Sequence, residues 1–308
     1  MVIKIIAGLL VVALCSVYAA YLAADRETIT AENFRDGSGY DTVHLGHGTT
    51  AFRTYGPLSA PAIFMVHGAT LGSMIYQDYA APFVAAGFRV VLYDQYGRGF
   101  SDRPRTPFSI DLMRAQLEEL MDHLGIERAH LYGVSLGGAI VTRFAAAHSD
   151  RVQTLGLQVP LIGGANVSRG VSLARLPVIG PLLARFYAIP AIIERGESFS
   201  PETEAGRMLM AHFKGQFAVK GTERMMAQII GGDALSDRME DHRVIAATGI
   251  PVHFAYADDD PEIPVSQVKA AIAVYDNADS HEFTGGHFFS YGRAEQLADL
   301  YAGFIKKL

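Results

Sequence analysis

Between residues 129 and 160 a short apolar run (AHLYGV, 129–134) turns through Gly133-Val134-Ser135-Leu136-Gly137 into a helical pattern at 136–148, followed by a second apolar run at 152–159. A serine on so abrupt a strand-to-helix turn needs neighbours two residues away that carry no side chain, and glycine meets that need at 133 and 137. A third glycine, Gly138, lets the helix pack close to the strand. Strand, helix, strand in this order predicts parallel pairing. The segment therefore places Ser135 at the carboxyl edge of a parallel sheet, above a helix N-terminus whose dipole favours developing negative charge.

The rhythm extends in both directions. Apolar or alternating runs at 50–55, 62–66 and 88–93 are separated by helical patterns at 73–86 and 110–124. Beyond residue 250 come a strand at 251–257, a helix at 265–274, a strand at 281–283 and a closing helix at 293–306. Short runs buried on both faces and alternating with helices predict an α/β chain with a mostly parallel, doubly covered sheet. From 161 to 243 the rhythm stops, and a Leu-, Ile-, Phe- and Met-rich helical stretch broken by Gly and Pro predicts an inserted cap. Residues 26–160 and 244–308 are then two parts of one core. Residues 26–41 are polar and glycine-dotted, suiting a connector and a first hairpin.

The first 25 residues stand apart. Ile5 to Ala24 is an uncharged run of 20 residues, about the length a helix needs to cross ~30 Å of hydrocarbon. Two forms are open: an uncleaved transmembrane anchor, or a signal segment removed after a small-residue site such as Val17-Tyr18-Ala19. Apolar character that continues to Ala24 favours the anchor. Lys4 and the amino terminus on one side, against Asp25 and Glu27 around Arg26 on the other, point the catalytic domain away from the cytoplasm; cleavage would make the protein secreted. Cys15 has no second cysteine to pair with, so no intramolecular disulfide forms. With 26 Lys and Arg against 32 Asp and Glu, a net charge of -6 and no basic block, nucleic acid is not an expected partner.

A serine needs a base, and the base needs an orienting group. Of 11 histidines, His287 in Gly285-Gly286-His287-Phe288 lies on a glycine-rich loop after the last strand and before the last helix, and is the expected general base. His281, its nearest rival, falls within a strand and is assigned a structural role. The acid belongs after the penultimate strand, where Asp258-Asp259-Asp260-Pro261 offers three candidates in a row. Adjacent carboxylates diverge and no glutamate follows at calcium-loop spacing, so a metal site is not expected there. No His-Glu-x-x-His, paired cysteines or Gly-Lys-Ser/Thr phosphate loop appears, and neither metal nor cofactor is expected.

Together these residues resemble the α/β-hydrolase family over about 42–308. His67-Gly68-Ala69-Thr70 looks like that family's oxyanion loop, and Asp94 to Asp102 like its Asp-x-x-Gly-x-Gly-x-Ser segment, whose Asp94, Arg98, Ser101 and Asp102 the resemblance assigns to structure. It implies an oxyanion hole from the backbone amides of Ala69 and Leu136. Ala257-Asp258-Asp259-Asp260 matches the family's Gly-x-x-Asp with alanine for glycine, which selects Asp260. Serine where dehalogenases and epoxide hydrolases carry aspartate argues against those chemistries. The expected activity is that of a serine esterase or lipase acting on a small-molecule ester that is apolar or lipid-like. A carbon–carbon bond hydrolase, a cofactor-free perhydrolase and a non-enzymatic scaffold or receptor are the alternatives.

Overall fold

A computed structural model describes residues 1–163, 176, 178–198 and 203–308. Its centre is an eight-stranded sheet: β1 (Asp41–Leu45), β2 (Gly48–Tyr55), β3 (Ala62–Val66), β4 (Arg89–Tyr93), β5 (Ala129–Val134), β6 (Val152–Gln158), β7 (Val252–Ala257) and β8 (Asp279–Phe283). The spatial order is β1-β2-β4-β3-β5-β6-β7-β8. The β1–β2 and β2–β4 pairs are antiparallel and all others parallel. The central strands β3, β4, β5 and β7 are buried at every position and are accordingly mostly apolar, with Arg89, His130 and His253 as their buried polar exceptions, whereas edge strand β8 alternates between exposed and half-buried residues.

Helices cover both faces, as the alternation predicts. On one face α4 (Ile110–His123), α5 (Leu136–Ala147) and α10 (Met239–Thr248) enclose a core that includes Leu117, Ile140, Phe144 and Ile245. On the other, α3 (Gln77–Ala85) and α12 (Ala294–Ile305) pack Phe83, Leu297 and Tyr301 against the sheet. Helix α11 (Val265–Ile272) joins β7 to β8. The described part of the insertion is helical: α6 (Ile179–Leu183), a π-helical turn at Ala184–Ala188, α7 (Ile189–Ser198), α8 (Glu204–Gly215) and α9 (Thr222–Gly231). The expected cap also includes residues 164–175, 177 and 199–202, which lie outside the described residues.

Three details differ from the sequence reading. The segment 26–41 contains a short helix, α2 (Ala31–Arg35), whose first turn is capped by Thr30 Oγ1 accepting from the Asn33 amide at 3.2 Å. The helical pattern at 73–86 is a 3₁₀ turn, Ser73–Tyr76, leading into α3. Helix α10 runs across residue 243 and packs on α5, where Arg143 pairs with Asp241 at 3.1 Å, so the core resumes before 243.

Helix α1 (Val2–Ala23) has 22 residues, none of them buried, and a mean hydropathy of 2.4 over its most apolar stretch. By length and composition it is able to cross a membrane.

Candidate active site

The turn at Ser135 is as tight as the glycine spacing requires. Ser135 has φ 53° and ψ -116°, a conformation that costs an L-residue about 1–3 kcal/mol and persists only when its surroundings over-determine it. They do. The Ser135 amide donates to Gln158 O at 2.9 Å, and its carbonyl accepts from the Leu161 amide at 3.0 Å, so the end of β6 clamps the turn on both sides. A Cβ on Gly137 would lie 1.9 Å from Val66 O, one on Gly133 2.5 Å from Gly137 O, and one on Gly138 2.8 Å from Pro160 Cβ. All three glycines are thus demanded by close backbone approach.

Ser135, His287 and Asp260 come together from three separate crossovers, after β5, β8 and β7. His287 Nε2 lies 3.0 Å from Ser135 Oγ, and His287 Nδ1 lies 2.8 Å from Asp260 Oδ2. The Asp260 side chain is 2 % exposed and that of His287 8 %, so the pair is largely shielded from water. Asp260 Oδ1 accepts from the amides of Glu262 at 2.8 Å and Ile263 at 3.0 Å. Burial pushes the Asp260 carboxyl up, but the hydrogen bond and charge of His287, with these two amides, outweigh it and hold it below the usual carboxylate range.

Asp259 has a role that the sequence reading did not assign. It is exposed, yet it accepts from the amides of Gly285 at 2.9 Å and Gly286 at 2.8 Å, and these bonds lower its pKa. Both glycines have positive φ, 122° and 66°, and precede His287. Asp259 therefore fixes the loop that delivers the histidine. Asp258 is exposed, and His281 has the structural place expected of it. Its Nε2 lies 3.2 Å from Asp279 Oδ2, the oxygen that also meets His253 Nδ1 at 2.6 Å. Among the described residues these three form the one group with metal-ligand proximity, and it sits on β7 and β8 as a carboxylate bridging two imidazoles.

The loop after β3 passes directly over the serine: a Cβ on Gly68 would lie 4.0 Å from Ser135 Oγ. Ala69 belongs to this loop and Leu136 is the first residue of α5. Among the described residues neither backbone N–H has an acceptor, which leaves both available to an anion. His67 braces the loop. Its Nε2 accepts from the Gln95 amide at 2.9 Å, so the proton resides on Nδ1 and is donated to Gly68 O at 2.8 Å. Burial pushes its pKa down to about 4 and keeps the ring neutral.

Arg98, fully buried, donates its Nε to Ala69 O and an Nη to Gly97 O at 3.0 Å, tying the loop after β3 to the segment after β4. Asp94 accepts from the amides of Ser73 at 2.7 Å and Phe100 at 2.8 Å, Ser101 Oγ accepts from the Ala51 amide, and Asp102 pairs with Arg35 at 3.0 Å. Their partners are backbone or distant from Ser135, in keeping with structural roles. The cap joins in through Gln216, which donates to Thr70 O at 2.9 Å and accepts from the Gly99 amide at 3.2 Å. Nothing in the local sequence marks Gln216, because its partners lie more than 100 positions away. Helix α7 leans over the other loops: Arg195 is 5.1 Å from the Phe288 ring centroid and pairs with Glu262.

Known proteins resemble this chain in sequence and fold. Residues 61–179 match the family described as alpha/beta hydrolase fold. The chain is 38% identical over 135 residues to the 2-hydroxy-6-oxo-6-phenylhexa-2,4-dienoate hydrolase of Comamonas testosteroni, a match covering 42% of this chain and 46% of that enzyme. It thus spans about half the length of that curated relative. The solved structure of an enol-lactonase from Burkholderia xenovorans superposes with a TM-score of 0.72 at 20% identity, covering 86% of this chain and all of the other. A meta-cleavage product hydrolase from Pseudomonas fluorescens gives 0.64 at 21% identity, covering 87% and 97%.

Proposed function

We propose that this chain, which has the α/β-hydrolase fold, is a serine hydrolase cleaving carboxylic esters through an acyl-enzyme. The observation that carries this reading is the unbroken relay Ser135 Oγ, His287 Nε2, His287 Nδ1, Asp260 Oδ2, at 3.0 and 2.8 Å. Ser135 Oγ attacks the ester carbonyl as its proton passes to His287 Nε2, and Asp260 stabilises the imidazolium. The amides of Ala69 and Leu136 receive the oxyanion. Collapse of the tetrahedral adduct expels the alcohol, which takes the proton from His287. Water, activated by the same histidine, then releases the acid and restores Ser135. The substrate is an apolar or lipid-like ester. Helix α1 anchors the enzyme to a membrane with the catalytic domain facing away from the cytoplasm.

A second reading, hydrolysis of a carbon–carbon bond in a vinylogous diketone, is favoured by the 38% identity to the Comamonas enzyme. The relay serves both reactions, and the fold alone does not choose between them. The test is labelling with a fluorophosphonate, followed by a substrate panel running from acetate to long-chain esters and including a vinylogous diketone. Labelling that Ser135→Ala abolishes, with turnover of the esters, is the expected result. Labelling that survives Ser135→Ala removes the serine-hydrolase reading, and turnover of the diketone alone replaces the ester with the carbon–carbon substrate.

A further inference from the structure

The described residues at the end of α1 do not trail away from the catalytic domain; they are bound to the cap by a dense set of polar contacts. Arg185, in the π-helical turn between α6 and α7, stacks its guanidinium 3.7 Å from the Tyr21 ring centroid and donates to Tyr21 O at 2.6 Å. The same side chain meets Asp25 at 3.4 Å and Glu223 at 2.8 Å, and is only 6% exposed. Arg26 donates back to Arg185 O at 3.1 Å. Glu27, next along the chain, accepts from the amides of Gly221 at 2.9 Å and Glu223 at 2.7 Å, placing a carboxylate on the N-terminus of α9. Ile29 then bridges to Val219 in parallel register. Contacts of this number and burial fix the direction in which α1 leaves the domain.

Around this attachment the cap carries large apolar side chains facing solvent: Val178 is 73% exposed and Tyr187 71%, with Ile179 and Phe186 beside them. Val178 and Tyr187 lie within seven residues of Arg185 along a helical segment, hence within about 10 Å of the point where α1 ends. A tyrosine at that level, together with Tyr18 and Tyr21, matches the aromatic side chains that settle at a membrane–water interface. A patch of this kind is uncommon on a monomer's surface unless something covers it.

We propose that what covers it is the bilayer: the cap surface formed by Val178, Ile179, Phe186 and Tyr187 lies on the membrane that α1 spans. This rests on the reading of α1 as a membrane anchor and adds that the cap, not merely the linker, meets lipid. Helix α7, whose Arg195 meets Phe288 and Glu262 beside the catalytic loops, follows this surface directly along the chain, so the lipid-facing part of the cap adjoins the part that borders the site.

The chain contains no tryptophan, so a single introduced one reports its surroundings without background. The full-length protein carrying Tyr187→Trp is reconstituted into phosphatidylcholine vesicles, with and without bromine on the acyl chains, and floated on a density gradient. Leu58→Trp is the control: Leu58 is 75% exposed in the β2–β3 turn, at the sheet edge opposite Ser135. Both variants are expected to float. The indole of Tyr187→Trp is expected to be blue-shifted and to lose on the order of half its emission to bromine, since an interfacial side chain sits about 5–10 Å deep, while that of Leu58→Trp is unaffected. Flotation with the Tyr187→Trp indole as unquenched as the Leu58→Trp control overturns the cap contact and leaves the anchor intact. Failure to float overturns both.

Discussion

Replacing Asp260 by Asn tests the relay with almost no change in shape. The outcome is set by the two amides on the far side of the carboxylate: Glu262 and Ile263 both donate to Oδ1, at 2.8 and 3.0 Å. An asparagine must therefore present its oxygen to them, because turning its NH2 that way would set donor against donor at a site 2% exposed. Its NH2 then faces His287 Nδ1, which becomes an acceptor. The ring proton moves to Nε2, the atom 3.0 Å from Ser135 Oγ, and the base can no longer receive the serine proton. A wrong tautomer of this kind costs about 10³–10⁴-fold in rate, equivalent to ~4–5.5 kcal/mol of transition-state stabilisation. The second-order rate of fluorophosphonate labelling reads this without knowledge of the natural substrate, with p-nitrophenyl acetate hydrolysis as a second measure. Asp259→Ala supplies the contrast: it frees the Gly285 and Gly286 amides but leaves the tautomer alone, and as an exposed, screened contact its loss is expected to slow labelling less than about tenfold. If Asp260→Asn also slows labelling by less than about tenfold, or if Asp259→Ala is the more damaging, Asp260 is not what orients His287.

Gly137→Ala sets two effects against each other. Alanine is favoured over glycine in a helix by ~1 kcal/mol, but its Cβ would stand 1.9 Å from Val66 O. A backbone carbonyl in a central strand cannot swing aside, so a net loss of about 3 kcal/mol or more is expected in chemical denaturation; a variant as stable as the parent contradicts the packing argument. Stability should also fall in mild acid. Burial pushes the folded pKa values of His67, His130 and His242 down to about 4. Below about pH 6.5 the unfolded chain takes up protons that the folded one refuses, so the stabilisation is complete above that pH and is lost as pH falls toward 4. A Tm that stays level between about pH 7.5 and 4.5 would refute this.

What could be read from the sequence was what adjacent residues dictate. Ser135 and His287 each sit beside glycines whose backbone freedom or lack of Cβ their turns require, so the local pattern pointed to both. The central strands were legible because full burial leaves mostly apolar residues, and β3 was placed residue for residue at Ala62–Val66. The acid was harder: three neighbouring aspartates are chemically identical, and only the curl after β7 turns Asp260 toward His287 and Asp259 toward the Gly285 and Gly286 amides. Arg98, Gln216 and Arg185 were beyond local reasoning for a different reason. Their partners lie 29, 146 and 164 positions away, and a buried arginine looks like a surface one until the fold supplies its acceptors.

The 152 positions between Ser135 and His287 have a consequence for the life of the polypeptide. Synthesis runs from the amino terminus, so the Ser135 turn is made 152 positions before His287. The histidine follows β8, which among the described residues is an edge strand paired with β7. Until β8 docks, the serine has no base. A nascent chain that stops between the two residues therefore has the strained serine turn without the relay, and its serine gains a base only through the docking of β8.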